Sequence, residues 1–288
     1  MIGAKNSYES RRLIEEFTKR GLKFVQYNWD ELVLPLEKIP KFCLLRYSRG
    51  MMEKLSIVYV LSILEELDRK GVMLSPSLSG IYREDKVSMY LLWREYLAND
   101  IKMPDTIITK NIKEGKKFLD KKGSIVFKPI IGGLGKNIIK ISNEEHLEEI
   151  YNKFQVLYLQ EYIENQGYDI RTIIVGDDII AKYVRYNPND FRHNIHSGGV
   201  GKRFEEISEM DPNIWKYDKI IDKIIIKLNK ITSLDLVGID LLPSNSGDLY
   251  LLEWNSTFGF AGAESTLGIN IAEKIVKHLI LKIKEQNI

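Results

Sequence analysis

The first third of the chain alternates between helix-type and strand-type hydrophobic patterns. Apolar residues recur at helical spacing in two stretches that each end at a glycine, residues 7–20 before Gly21 and residues 51–70 before Gly71. Short apolar runs typical of strands lie at 22–27, 41–46 and 72–74. This alternation predicts an open, mostly parallel sheet with helices on its faces.

The middle of the chain carries shorter strand patterns around a glycine run. A helix is predicted at 85–99, and strands are predicted at 106–109, 124–128, 137–141 and 156–160. A further helix at 144–154 separates the last two strands. The glycine run at 132–135 joins two strands by a connection too short for a crossover, which predicts antiparallel pairing.

The last third reads as hairpins and helices. Strands at 170–175 and 179–185 flank the turn Gly176-Asp177-Asp178, and strands at 236–242 and 248–254 flank a second turn. Helices are predicted at 218–232 and 269–284. We therefore predict an α/β front and an α+β rear, divided into domains at 1–82, 83–157 and 158–288.

Composition narrows the classes of function. Forty-two basic residues against 40 acidic ones give a net charge of +2, so nothing points to a nucleic-acid partner. Cys43 is the only cysteine, which excludes an intramolecular disulfide and a zinc site built on two thiolates. No apolar stretch approaches the ~18 residues of a membrane span, and no signal-peptide core is visible. We expect a soluble, cytoplasmic protein with no membrane partner.

A lysine at the end of a strand precedes the glycine run. Lys128 is followed by Gly132-Gly133-Leu134-Gly135, but the spacing matches neither the Walker A loop nor the Rossmann fingerprint. Successive backbone N–H groups in such a turn can surround a phosphate, to which Lys128 would add a point charge. Taken alone, however, these residues favour a plain glycine-rich hairpin.

Two neighbouring strands carry oxygen ligands. Strand alternation places Glu253 and Asn255 on one face and Trp254 on the other, with Leu251 expected on the face of Glu253. A short hairpin would bring Asp240 across from them. Two carboxylates and an amide oxygen suit Mg²⁺ shared with nucleotide phosphates, whereas the alternative is a solvated strand face with incidental acids.

The first predicted hairpin in the last third of the chain carries two arginines, and a third follows it. Arg171 and Arg185 would lie on neighbouring strands across the turn at Gly176, and Arg192-His193-Asn194 follows in a loop. The planar guanidinium favours bidentate contact with phosphates and carboxylates, so the group suggests a triphosphate and an anionic substrate. For each arginine taken alone, a surface ion pair is the favoured interpretation. His193 and His196 have no companion at metal-ligand spacing.

These motifs occur in the order and spacing of a known superfamily. Over residues 44–280 the chain resembles ATP-grasp proteins, most closely the RimK-like branch of amino-acid ligases. The resemblance rests on Gln160-Glu161-Tyr162-Ile163, Gly167-Tyr168-Asp169-Ile170-Arg171, Phe191-Arg192-His193-Asn194, Gly238-Ile239-Asp240, Glu253-Trp254-Asn255 and Gly268-Ile269-Asn270-Ile271-Ala272. It implies an N-terminal parallel-sheet domain followed by two subdomains that clamp ATP.

The resemblance also implies roles for individual residues. Those implied to contact ATP are Lys86, Lys128, Gly133 and Gly135 at the phosphates, Gln160, Glu161 and Tyr162 at adenine, largely through backbone groups, and Asp169 at the ribose. Arg192, His193 and Asn194 would reach the phosphates and the acyl group, and Arg192, Arg185 and Arg171 would be catalytic. Asp240, Glu253 and Asn255 would hold two Mg²⁺ or Mn²⁺ ions.

One segment indicates which RimK-like ligases the chain resembles most, and another differs from the usual RimK-like sequence. Leu45-Arg46-Tyr47-Ser48-Arg49-Gly50, followed by Glu53, looks like the ligases that glutamylate tetrahydromethanopterin-type cofactors. Many RimK-like sequences carry Asn-Ala-Ser-Pro-Gly where this chain has Asn255-Ser256-Thr257-Phe258-Gly259, so Phe258 changes the wall near the acceptor.

The implied function is an ATP-dependent carboxylate–amine ligase that forms an amide through an acylphosphate. Its substrates would be a small-molecule carboxylate and an amino acid, with L-glutamate added to a coenzyme. Glutamylation of the deazaflavin coenzyme, or of a protein C-terminus or carrier, remains an alternative. A non-catalytic ATP-binding regulatory protein is the alternative of another class. The sequence leaves a homo-oligomer open.

Overall fold

The computed structural model describes residues 1–4, 6–36, 38–46, 54–133 and 135–285. Six residues used above, Tyr47, Ser48, Arg49, Gly50, Glu53 and Leu134, lie outside these ranges. The described chain forms three sheets of three, four and five strands. None of its helices is long and apolar enough to cross a membrane.

The N-terminal sheet is parallel, as predicted. Strands β1 (Ile2–Gly3), β2 (Phe42–Arg46) and β3 (Met73–Ser75) lie side by side in that order. Helices α1 (Tyr8–Lys19) and α2 (Lys54–Arg69) provide the crossovers, and Ser7 caps α1 by accepting from the N–H of Ser10. Buried residues of β2 and α2 share one apolar core.

The strand predicted at 22–27 does not form. This segment runs beside β1 but makes only an isolated bridge between Tyr27 and Ile2. Its apolar side chains are exposed, Val25 by 61%. An apolar run without a buried face gains little from a ladder, and Ile2–Gly3 instead takes the place beside β2.

The four-stranded sheet is antiparallel throughout. It consists of β4 (Thr106–Thr109), β5 (Ile125–Phe127), β6 (Ile139–Ile141) and β7 (Leu157–Glu161), in the order β4-β7-β5-β6. The predicted antiparallel pairing across the glycine run is therefore confirmed. Helix α6 (Glu144–Phe154) and an unpredicted helix, α5 (Ile112–Lys122), supply the apolar residues that cover the sheet.

The five-stranded sheet forms the centre of the molecule. Its strands are β8 (Tyr168–Val175), β9 (Asp178–Tyr186), β10 (Val200–Lys202), β11 (Leu236–Pro243) and β12 (Leu249–Asn255), in the order β10-β9-β8-β11-β12. The two predicted hairpins, β8–β9 and β11–β12, are both present.

Helices cover both faces of this sheet. One face packs on α8 (Ile214–Thr232) and on α4 (Lys86–Leu92), which continues as a π-helical turn at Trp93–Leu97. The other face packs on α1 and α10 (Ile271–Glu285) over part of its area. Three short helices complete the fold, α3 (Leu78–Tyr82), α7 (Phe204–Ser208) and α9 (Ala261–Leu267).

A β-bulge in β12 corrects one prediction. Asp240 pairs with Glu253, but the next pair is Leu241 with Leu251, so Leu252 is an extra residue on β12. The bulge reverses the alternation, and Leu251 therefore packs in the same core as Trp254 rather than on the face of Glu253. Glu253 and Asn255 share the opposite face, as predicted, because the bulge precedes both.

Candidate active site

A cavity of about 760 Å³ lies where the four-stranded sheet faces the uncovered part of the five-stranded sheet. All but one of the predicted site residues line it: Lys128, Gly133, Gly135, Gln160, Glu161, Tyr162, Asp169, Arg171, Arg185, Arg192, His193, Asn194, Asp240, Glu253 and Asn255. Lys86 instead borders a small neighbouring cavity that also touches Asn255. Its Nζ lies 3.6 Å from Glu253 Oε2.

Alternating charges cross the floor of the cavity on β8, β9 and β11. Arg185 donates from Nε and Nη2 to Asp169, at 2.7 and 2.6 Å, and its Nη2 also lies 3.0 Å from Asp240. Arg171 donates from Nε and Nη2 to the two oxygens of Asp240, the second at 2.9 Å. The four side chains are buried. The prediction of surface ion pairs for Arg171 and Arg185 is therefore wrong, because both guanidinium groups pair with carboxylates inside the protein.

Strand register explains this row of charges. Asp240 is directly opposite Arg171 on one side and Glu253 on the other. Two carboxylates placed directly opposite each other repel, so this arrangement requires cations nearby. Burial opposes ionisation of Asp240, but Arg171 and Arg185 outweigh it and hold the pKa of that carboxyl below its ordinary value. Lys86 and then Lys128 do the same for the pKa of Glu253.

The predicted metal ligands meet at one wall. Asp240 and Glu253 form a cross-strand pair, and the Asn255 amide donates to Glu253 Oε1 at 3.1 Å. The described residues contain no group of three or more His, Cys, Asp or Glu side chains able to hold a metal ion. Two carboxylates and one amide oxygen are nevertheless hard donors of the kind Mg²⁺ takes when nucleotide phosphates and water complete its shell. The donor set fits Mg²⁺ held jointly with a nucleotide.

Lys128 projects from the end of β5 beneath the glycine run. Its N–H donates to Tyr158 O at 3.0 Å, which fixes the backbone at this point. Burial lowers the pKa of Lys128 to about 8, and Glu253 only partly opposes that effect. Gly135 has a φ of +71°, and a Cβ there would lie 3.0 Å from the side chain of Asn194. Gly135 thus lies close to the side chain of Asn194, a contact that a plain hairpin does not require.

Comparison with known proteins assigns the architecture. The family profile described as the RimK-like ATP-grasp domain matches residues 83–279, about two thirds of the chain. The chain belongs to the RimK-like ATP-grasp family. Binding of ATP and Mg²⁺ is typical of this fold.

Two curated relatives of this ATP-grasp chain are named as glutamate ligases. The tetrahydromethanopterin:alpha-L-glutamate ligase of Methanocaldococcus jannaschii is 29% identical over 211 residues, which cover 69% of this chain and 68% of the relative. The ribosomal protein bS6--L-glutamate ligase of Escherichia coli O7:K1 is 32% identical over 213 residues, or 71% and 66%. About a third of each relative lies outside the match. The predicted enzyme class, a ligase that forms carbon–nitrogen bonds, is confirmed.

A solved structure agrees with the fold. The ATP-grasp ligase PsnB, complexed with minimal precursor, Mg and ADP, superposes with a TM-score of 0.68 at 18% identity. The match covers 97% of this chain and 95% of PsnB. The predicted ATP-grasp fold is confirmed.

The end of the ATP-grasp cavity beside β7 has an aromatic wall. The Tyr162 ring lies 3.3 Å from Lys140 Nζ and makes an edge contact with Phe191. The N–H groups of Glu161 and Tyr162 donate to the carbonyls of Asp105 and Ser124, so these two N–H groups are already paired. The contact of this segment with adenine stays a prediction.

The side-chain oxygen of Gln160 is an acceptor that a bound base could reach. Gln160 Nε2 donates to Thr106 Oγ1 at 3.0 Å, whereas Gln160 Oε1 is buried with no hydrogen-bond partner in the described structure. A buried amide oxygen without a donor is costly, and an exocyclic amine of a bound base would satisfy it.

The loop after β9 divides into a half-exposed and a buried part. Arg192 is half-exposed, and its Nη2 lies 2.6 Å from Asp190 Oδ2. His193 is buried, with Nδ1 4.0 Å from Asp169 Oδ2. Burial lowers the pKa of His193 more than Asp169 raises it, so the imidazole is neutral near pH 7.

The N-terminal end of the cavity was not predicted from the sequence. Four residues line it there, from α1, a short 3₁₀ helix and β2 of the first sheet: Tyr8, Glu9, Trp29 and Arg46. The available signal was Arg46, a charge that ends the apolar run of β2 and is itself buried. A charged residue that ends a buried strand faces the edge where α/β folds place their sites.

Proposed function

We propose that the chain is an ATP- and Mg²⁺-dependent ligase that adds L-glutamate to the carboxylate of a small-molecule coenzyme of the tetrahydromethanopterin type. The observation that carries this proposal is the single cavity in which Lys128 faces Asp240 and Glu253 beside two buried arginines. Such a wall suits a triphosphate, its cations and a second anion together.

The nucleotide would lie between the two antiparallel sheets. Lys128 and the N–H groups of the glycine run bind its phosphates, and the Tyr162 end takes the base. Asp240, Glu253 and Asn255 would hold two Mg²⁺ ions, which neutralise charge on the β- and γ-phosphate oxygens when bound. Lys86 orients Glu253 through their ion pair.

The chemical step joins two anions. A carboxylate oxygen of the acceptor attacks the γ-phosphorus while the bond to ADP breaks, giving an acylphosphate. Arg171 uses Nε and Nη2 for Asp240, so Nη1 is the group that approaches the transferred oxygens. Asp240 and Asp169 hold the two arginines rigidly, and such preorganised charge lowers the barrier without moving during reaction.

The second step needs no protein nucleophile. The amine of glutamate attacks the acyl carbon, the bond to phosphate breaks, and the amine proton passes to solvent or phosphate. Cys43 lies outside the cavity, and burial raises the pKa of its thiol to about 11. Cys43 is thus a small buried apolar residue of the first sheet and not a nucleophile. Positioning and charge stabilisation therefore carry the reaction.

The choice of substrate rests on the relatives. Both are named for glutamate, which favours glutamate as the amine. One acts on tetrahydromethanopterin by name and the other on a ribosomal protein, so a coenzyme and a protein C-terminus are both represented. We propose the coenzyme because the first of these relatives is named for one. The deazaflavin coenzyme is the next candidate.

Mass spectrometry tests this function. The protein is incubated with ATP, Mg²⁺, L-glutamate and, in turn, tetrahydromethanopterin, the deazaflavin coenzyme and a protein fraction. We expect tetrahydromethanopterin to gain one glutamyl residue only when ATP is present. A gain on another acceptor would replace the proposed substrate. ATP binding without acceptor-dependent turnover would instead support the non-catalytic regulatory protein.

A further inference from the structure

The cavity continues beyond the arginines to the N-terminal sheet. There Glu9 and Arg46 line it with Tyr8 and Trp29, next to the segment that contains Phe258. This end is remote in sequence from the ATP-grasp profile, which begins at residue 83. Opposite charges among aromatic side chains offer a site for a small zwitterion.

Among the described residues, Arg46 is buried and makes no hydrogen bond to a carboxylate, although Glu9 lies near enough to oppose in part the lowering of its pKa by burial. The residue is 9% exposed, and Nη2 donates to the neutral carbonyl of Phe258 at 2.7 Å. Its guanidinium lies 5.7 Å from the ring of Phe258 and 5.9 Å from that of Phe260. Nη1 is buried and has no partner in the part of the chain that the structure describes. A bound anion would offset the cost of this buried charge.

Glu9 supplies the complementary charge. Its Oε1 accepts from the N–H of Phe260 at 3.1 Å, which fixes the carboxylate at the cavity wall. The three-residue stretch 258–260 thus anchors both side chains, Arg46 at the Phe258 carbonyl and Glu9 at the Phe260 N–H. An α-amino acid carries a carboxylate that suits Arg46 and an ammonium that suits Glu9.

The position of this end suits the second substrate. A Cβ added to Gly238 would lie 2.6 Å from Phe258 Cβ and 3.1 Å from Arg171 Nη1. Phe258 therefore lies close to both Arg46 and Arg171. An amino acid held by Arg46 would then lie near the place where the acyl group is activated.

We propose that Arg46 and Glu9 form the subsite for the amino acid that supplies the amine, with Arg46 holding one of its carboxylates and Glu9 its amino group. The proposal rests on the function proposed above. It assigns to the N-terminal sheet the choice of amino acid, and to the two ATP-grasp sheets the activation of the acceptor.

Steady-state kinetics of Arg46→Met tests the subsite. A charge-assisted hydrogen bond is worth about 1.5–3 kcal/mol, so we expect the KM for L-glutamate to rise about 10- to 100-fold. The KM values for ATP and acceptor should stay within about twofold, a change of under 0.5 kcal/mol. Arg69→Met is the matched control, because Arg69 is a surface arginine of the same sheet domain, 68% exposed and paired with Glu66. An unchanged KM for glutamate, or a rise confined to the acceptor, would overturn the proposal.

Inhibition by glutarate separates direct contact from a structural effect. Glutarate keeps both carboxylates of glutamate and lacks the amine. Arg46→Met should weaken the binding of glutarate and of glutamate alike. Glu9→Gln should weaken the binding of glutamate only. If Glu9 has only a structural role, Glu9→Gln should weaken the binding of both ligands equally. That result would remove Glu9 from the subsite.

Calorimetry of glutamate binding tests the subsite even if the proposed function is wrong. If the wild-type protein forms no amide with any acceptor, the function fails. Binding of L-glutamate in the presence of MgADP then tests the subsite alone. Binding to wild type that is lost in Arg46→Met supports it. Equal binding to both proteins, or none to wild type, refutes it.

Discussion

Lys128 carries a charge in a place that disfavours charge. It is 8% exposed, and burial lowers its pKa from 10.5 to about 8. That difference corresponds to about 3 kcal/mol of unfavourable free energy for the protonated form near pH 7. A residue kept for packing would not carry such a cost, whereas one kept for a phosphate would.

Replacement of Lys128 by methionine should therefore change stability and binding in opposite directions. We expect Lys128→Met to be more stable than wild type by up to about 3 kcal/mol at pH 7, because it removes the buried charge and keeps an apolar chain. We also expect MgADP to bind about 10- to 100-fold more weakly, since one charge-assisted contact to phosphate is lost.

The stability difference should shrink as the pH rises. The unfolded chain, with the ordinary pKa of 10.5, binds the proton of Lys128 more tightly than the folded chain, whose pKa is about 8. Stability of the wild type therefore rises with pH between these values. The advantage of Lys128→Met should fall from about 3 kcal/mol at pH 7 to about 1 kcal/mol at pH 9.5.

Urea unfolding at the two pH values and calorimetry with MgADP measure these effects. Lys117→Met is the matched control, because Lys117 is 72% exposed and pairs with Glu114 at the surface. Its stability and nucleotide affinity should stay within about 0.5 kcal/mol of wild type. The reasoning is refuted if Lys128→Met is less stable than wild type at pH 7 and binds MgADP equally well.

Three further predictions concern the same site. Nucleotide binding by wild type at pH 8 should take up about half a proton, read from calorimetry in two buffers, and Lys128→Arg should take up none; equal uptake would contradict the pKa of Lys128 of about 8. Residues 110–156 should gain hydrogen-exchange protection when an ATP analogue binds, because the glycine run has few side chains to anchor it, and equal exchange would count against a lid. Arg192→Lys keeps the charge but loses the planar fork, so kcat should fall about 100-fold; near wild-type turnover at saturating ATP would leave Arg192 as no more than the partner of Asp190.

Local rules predicted the parts of the site that lie on hairpins. Alternation and a short turn sufficed to place Glu253 and Asn255 across from Asp240, because hairpin register follows from turn position and side-chain period. The same argument placed Arg171 and Arg185 on adjacent strands. It failed at Leu251, because a bulge leaves no mark in a pattern of apolar residues.

Long-range packing accounts for what the sequence did not reveal. From the sequence alone, Arg171 and Arg185 are interpreted as surface arginines. Strand pairing places Asp240 and Asp169 beside them, which no local pattern shows. Arg46 contacts Phe258 across 212 positions of sequence, and no local spacing predicts that contact. The segment at 22–27 has the composition of a strand, but strand formation also needs a buried face.

The nucleotide product tests the central claim most directly. Chromatography of a reaction with ATP, Mg²⁺, L-glutamate and the acceptor shows whether the γ-phosphate or the α-phosphate is attacked. We expect ADP and inorganic phosphate, formed in step with amide and absent without acceptor. The reason is that the proposed cations and the two arginines would lie where an acceptor carboxylate meets the terminal phosphate. AMP and pyrophosphate would exclude the acylphosphate and contradict the account.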